Sequence, residues 1–172
     1  MFRVFEDKGN LMKSIYIETS IVSYLRQAPS AHVVSAARQL LTHRWWNQER
    51  MNYRLVTSQY VIEEASDGAA TLAEERLKLL EGMSLLSLDD RIAEIANEIM
   101  NRAILPPKAS VDALHIAMVA YHRVDYLLTW NCRHIANGRI LPRIHAVLRE
   151  LGYPIPLICT PEEMVNDDSE DY

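Results

Sequence analysis

Ser14-Ile15-Tyr16-Ile17-Glu18-Thr19-Ser20 decides the fold. Four residues of β character without polar alternation read as a strand covered on both faces, and the chain then turns abruptly into an acid and two hydroxyls. A carboxylate that follows so apolar a strand is costly unless it is paired, hydrogen-bonded or bound to a metal. Working outward, similar β-rich runs recur at residues 55–58, 83–88, 126–130 and 157–159. Helical periodicity fills the intervals, over 19–27, 30–51, 60–67, 71–81, 89–104, 110–123 and 142–151. Pro29 separates the first two helices, Gly82 and Gly152 stand where helix C-caps belong, and Ser110 is placed as an N-cap. Strands alternating with helices through short links predict an α/β fold: a central parallel sheet of about five strands, flanked by helices on both faces. In such sheets ligands bind at the carboxyl ends of the strands.

Composition agrees with one domain of this kind. The 172 residues are 49% apolar and 24% charged, enough for a full core and incompatible with a disordered or collagen-like chain. No apolar run reaches the roughly 18 to 20 residues that cross a bilayer, and Glu6 and Asp7 stand where a signal peptide needs an apolar stretch, so the chain reads as cytoplasmic with no membrane partner. Cys132 and Cys159 are too few for a metal cluster or a disulfide scaffold and are expected to be reduced and packed. Residues 1–12 read as an N-terminal extension, 13–160 as the domain, and 161–172 as an acidic, disordered tail.

The net charge of −5 divides unevenly. Six of the 23 acids (Glu162, Glu163, Asp167, Asp168, Glu170 and Asp171) lie in the tail, which leaves 17 acids against 18 bases, or +1, for the rest. Between His122 and Arg149 stand Arg123, Arg133, Arg139, Arg143 and Arg149 with the single acid Asp125. A local basic stripe on a near-neutral body suits phosphate contact, although solvated helix faces explain the same residues.

The carboxyl ends of the strands collect oxygen-bearing side chains. Glu18 and Thr19 follow the first strand, and Ser58 ends the second, with Glu63 and Glu64 close behind. Asp112 opens a helix whose remainder, through Ala120, is apolar nearly all round. Thr129 and Asn131 end the fourth strand, with Arg133 and His134 just beyond. Each acid alone fits the first turn of a helix, where it complements the dipole. His115, one turn after Asp112, is read as a core or supporting residue, and Trp45-Trp46 as packing.

Taken together, Glu18-Thr19-Ser20, Ser58 with Glu64, Val111-Asp112-Ala113-Leu114-His115-Ile116-Ala117 and Leu128-Thr129-Trp130-Asn131 resemble the PIN domain, and within it the toxin ribonucleases of VapC type. The resemblance spans residues 13–160. It implies a single PIN-like domain acting as a metal-dependent endoribonuclease on RNA, the toxin half of a toxin–antitoxin pair, with a cognate antitoxin and a homodimeric state. It further implies that Glu18, Glu64 and Asp112 hold Mg²⁺ or Mn²⁺, with Glu63 as the alternative to Glu64, and that Asn131 takes the fourth catalytic position. Thr19, Ser58, Thr129 and His115 would support these residues, and Arg133, His134 and Arg139 would contact RNA.

This sequence departs from the family pattern at two places: Glu18 stands where the family has Asp, and Asn131 replaces an acid. The lost charge predicts one tightly held cation, with a second only when phosphate is present. A catalytically weak PIN-fold module that binds RNA or protein is the alternative these departures favour. A receiver-like phosphoacceptor needs a lysine after a late strand, and none follows Lys108.

Overall fold

The computed structural model describes residues 12–166 and, by backbone alone, residues 3–4. Six strands form one all-parallel sheet: β1 (Arg3–Val4), β2 (Ser14–Ile17), β3 (Arg54–Ser58), β4 (Ser84–Leu86), β5 (Tyr126–Leu128) and β6 (Leu157–Cys159), in the spatial order β1-β4-β3-β2-β5-β6. The five strands expected from the sequence are β2 to β6. The sixth, β1, is a two-residue edge strand paired with Ser84 and Leu85, inside the segment read as an N-terminal extension. Among the described residues eight α-helices connect and flank them: α1 (Thr19–Arg26), α2 (Val33–Gln48), α3 (Gln59–Ala65), α4 (Ala70–Leu80), α5 (Asp90–Asn101), α6 (Ser110–Tyr121), α7 (Leu141–Glu150) and α8 (Pro161–Met164).

The strand order explains how the helices divide. From β2 through β3 to β4 the chain moves one way across the sheet; it then doubles back past β2 to β5 and β6. Parallel crossovers are right-handed, so reversing direction transfers the connecting helices to the opposite face. Accordingly α1 packs with α2, α3 and α4, while α5 packs with α6 and α7. The central strand is buried throughout, with Ile15, Tyr16 and Ile17 fully covered, as residues sandwiched between two helical layers must be. Trp45 and Trp46 are buried in the core, in the packing role expected of them.

Most differences from the sequence reading lie at element ends. The long helix read over 30–51 starts at Val33 and gives way to a 3₁₀ turn at Arg50–Asn52. Ser110 is the first residue of α6 and does not cap it; a 3₁₀ turn over Pro107–Ala109 leads in, and Ala109 takes the cap position. Gly82 and Gly152 do adopt the left-handed conformation, at φ +81° and +77°, that reverses the chain after a helix.

Residues 161–166, assigned by composition to the tail, have defined structure. Thr160 and Glu163 form a capping box that starts α8, which packs on α2, and Asn166 binds Glu49 and Arg44. Acidic composition misleads here because Glu163 serves the helix N-terminus. Residues 167–172 lie outside the described residues. Cys159 is buried, which pushes its thiol up to about 12, but Cys132 is exposed and not packed as expected. No helix among the described residues is long and apolar enough to cross a membrane.

Candidate metal centre

The sheet reverses direction at β2, and the crevice outside its carboxyl end is bounded by β3 on one side and β5 on the other. Glu18 is the first residue past β2. Its backbone N–H donates to Leu128 O on β5 at 3.2 Å, which fixes it directly beside the end of that strand. The side chain is 95% buried, yet two donors satisfy it: Thr129 Oγ1 donates to Oε2 at 2.6 Å, and the Ser20 hydroxyl donates to the same oxygen. These donors are themselves held. Thr129 Oγ1 accepts from Asn131 N at 2.9 Å, and Ser20 Oγ accepts from Trp130 N at 2.8 Å.

Glu64 comes from α3, on the other side of the crevice. Its Oε2 accepts from the Thr19 hydroxyl and lies 3.0 Å from His115 Nε2 on α6. Partial burial pushes the Glu64 carboxyl upward, but the His115 ring and the Thr19 hydroxyl outweigh it and hold the group below its ordinary value. Glu64 is therefore ionised at neutral pH. Neighbouring Glu63 is exposed and accepts from Gln59 Nε2 at 3.2 Å, outside the crevice. The two carboxylates share one arrangement: Oε2 of each is saturated by protein donors, and Oε1 of each has no hydrogen bond among the described residues. Glu18, Glu64 and His115 each offer a ligand atom within 4.8 Å of the others, a spacing compatible with one cation.

Asp112 stands apart from that group. It opens α6 as expected, but both of its oxygens are engaged by the turn after β5: Asn131 Nδ2 donates to Oδ1 at 2.8 Å, and His134 Nδ1 lies 2.8 Å from Oδ2. Asn131 Oδ1 accepts from the His134 backbone N–H at 3.0 Å, closing a ring of three residues. Thus Asn131 orients an acid, and His134 is bound to Asp112 and only partly exposed. Arg133 and Arg139 are exposed, and both lie close in sequence to this turn. Ser58 is fully buried and hydrogen-bonds Tyr16 at 2.6 Å.

Sequence reasoning missed Tyr16, which it counted as a core strand residue. The available signal was a phenol in an otherwise aliphatic strand, since a buried hydroxyl has to find a partner. The ring formed by Asp112, Asn131 and His134 was missed as well, because spacing alone does not reveal which polar side chains turn toward each other.

The family model of the PIN domain matches residues 15–135, and the chain belongs to that family. Solved structures share the fold. The VapC20 toxin of Mycobacterium tuberculosis, described as cleaving the sarcin–ricin loop, aligns with a TM-score of 0.56 at 20% identity, over 73% of this chain and 95% of that one. VapBC-1 from nontypeable Haemophilus influenzae aligns with a TM-score of 0.52 at 15% identity, over 86% and 98%. At these identities the likeness is one of fold. No curated protein matches the sequence.

Proposed function

We propose that this chain is a metal-dependent endoribonuclease of the VapC-like toxin kind, acting on RNA and controlled by a cognate antitoxin. The observation that carries the reading is the pair of carboxylates, Glu18 and Glu64, that leave an oxygen each at the switch point of a PIN-family sheet. Hard divalent ions prefer such oxygens, and the donor set fits Mg²⁺ or Mn²⁺ better than a thiolate-seeking metal. When bound there, such an ion activates water and neutralises charge on the scissile phosphate.

The protein's own residues supply the rest. Ser20 and Thr129 hold Glu18 in place, and Thr19 and His115 do the same for Glu64. That preorganisation limits the reorientation the carboxylates undergo on loading. Asp112 completes the acid set when substrate or a cation draws it from Asn131 and His134. Arg133 and Arg139 offer bidentate contacts to flanking phosphates. Hydrolysis by attack of water would leave a 5′-phosphate and a 3′-hydroxyl. A homodimer in the cytoplasm, inhibited by its antitoxin, is the setting that the family resemblance suggests.

A second reading, a PIN-fold module that binds RNA without cutting it, draws on the uncharged Asn131 and the engaged state of Asp112. One experiment separates the two. A mixed pool of structured RNA is incubated with wild type, Glu18→Gln and Asp112→Asn in Mg²⁺, Mn²⁺ or EDTA. Cleavage that needs metal and is lost in both variants is the expected result. RNA binding without cleavage by wild type in either metal would replace the nuclease with the binding module.

A further inference from the structure

Two arginines outside the basic stripe of residues 122–149 meet at one small hollow. α1 leads away from the crevice: Thr19, at its start, donates to Glu64, and Ser23 and Arg26 follow one and two turns later on the same face. A rise of about 1.5 Å per residue sets Arg26 about 10 Å along the axis from Thr19. α4 packs against α1 and brings Arg76 to the same place. Ser23, Arg26, Gln27, Leu72 and Arg76 line a hollow of about 20 Å³. That is the size of one water or one phosphate oxygen, and far below that of a nucleobase.

The positive charge here has no counterpart. Arg76 is held in place without being neutralised: its Nη2 donates to Asp67 O in the turn after α3, and its Nε is buried with no acceptor. Arg26 is exposed and makes no hydrogen bond or ion pair among the described residues. Other exposed bases, Lys13, Lys78, Arg91 and Arg102, pair with carboxylates, but no acid lines this hollow. Two guanidiniums on one hollow repel each other unless an anion lies between them. We propose that Arg26 and Arg76 together bind one phosphate of the RNA chain, with the Ser23 hydroxyl as a further donor, so that α1 holds the strand leading into the crevice. The inference rests on the nuclease reading given above. Two guanidinium forks and a hydroxyl suit the several oxygens of a tetrahedral phosphate better than the two of a planar carboxylate. At an axial rise of roughly 3.4 Å per nucleotide of a helical strand, the site stands about three nucleotides from Thr19 and Glu64.

The test uses the full chain in EDTA, so that binding is read without any metal. Filter binding of the mixed pool of structured RNA across a salt series covers wild type, Arg26→Ala, Arg76→Gln and the double variant. Each protein is also titrated with inorganic phosphate alone, which would meet the same donors. Each single variant is expected to lose about 10-fold in RNA affinity at low salt, and to lower the slope of log affinity against log salt by about one. The double variant should lose no more than either single one, because the two arginines share one phosphate.

Single variants with the affinity and slope of wild type would overturn the proposal. If those variants also lose a phosphate affinity that wild type has, the hollow is a free-anion site that RNA does not use; if wild type binds no phosphate either, the arginines are left to an acidic protein surface. A double variant whose slope falls by about two would overturn the shared site as well, since the arginines would then be independent surface charges. Arg76→Gln shortens the side chain that holds Asp67 O, and should it fail to fold, Arg26→Ala and Arg26→Glu decide the matter. Charge reversal is expected to cost more RNA affinity than removal, and two variants indistinguishable from wild type would sink the site. Wild type that binds no RNA at any salt removes the RNA reading itself, a result distinct from the others.

Discussion

On the proposed metal reading, single side chains would set how many cations the centre accepts. Asn131, which the sequence resemblance sets against an acid of the family pattern, donates its amide to Asp112. Replacing it by Asp trades that donor for a second negative charge beside the first, which two cations would compensate and none would not. Asn131→Asp is therefore expected to bind two Mn²⁺ where wild type binds one, as read by calorimetric stoichiometry, and to be less stable than wild type when metal-free. Thr129 acts from behind: its hydroxyl donates to Glu18 and accepts from Asn131 N. Thr129→Val keeps the shape and removes both bonds, leaving a buried carboxylate with one donor fewer. A 10- to 100-fold loss of Mn²⁺ affinity is the expected outcome, and an unchanged titration would remove Thr129 from the supporting set.

Among the secondary elements, the ends of β2 and β5 hold Glu18 between them, and their starts are tied together at the far end of the sheet. Asp125, just before β5, accepts from Ser14 N and Ser14 Oγ, each at 2.9 Å, and from Lys13 Nζ at 2.8 Å. Partial burial pushes its carboxyl up, but Lys13 and the Ser14 donors outweigh that and hold it below its ordinary value of 3.8. A carboxyl lowered on folding gives stability that is complete above its unfolded value and is lost as pH falls through the folded one. Asp125→Asn should accordingly flatten the acid limb of a denaturation-versus-pH curve below about pH 4, the ordinary carboxyl range. At neutral pH it should be less stable than wild type. A variant with an unaltered acid limb would show that this tie contributes nothing to the strand pair.

Over the whole molecule, a chain of net negative charge still exposes the arginines of its basic stripe, Arg133 and Arg139 among them. On the proposed nuclease reading, repulsion of RNA by the acids would be local, and a cation bound between them would reverse its sign. Arg133 and Arg139 are exposed, and each would displace a counterion on meeting a phosphate. Arg133→Ala and Arg139→Ala are each expected to lower the slope of log affinity against log salt by about one while weakening binding to all RNA sequences alike. Filter binding across a salt series measures this, and a slope equal to that of wild type would place the RNA elsewhere on the surface.

The sequence by itself determined the alternation of elements, the parallel sheet and the edge at which chemistry gathers. Those follow from local hydrophobic period and from the handedness of crossovers, which need no knowledge of distant contacts. The strand β2 and its sharp polar end at Glu18 are the clearest example, with both bounds legible in seven residues. Only the tertiary structure decided which polar groups meet. It turned Glu64 inward and Glu63 outward, set Asp112 against Asn131 and His134 rather than beside Glu18, and joined Ser58, Tyr16 and His115 into one line. It also built α8 from residues that composition had assigned to the tail. The physical reason is the same in each case: a hydrogen bond is satisfied by whichever partner packing brings within 3 Å, and such partners here are as many as 122 residues apart in the chain.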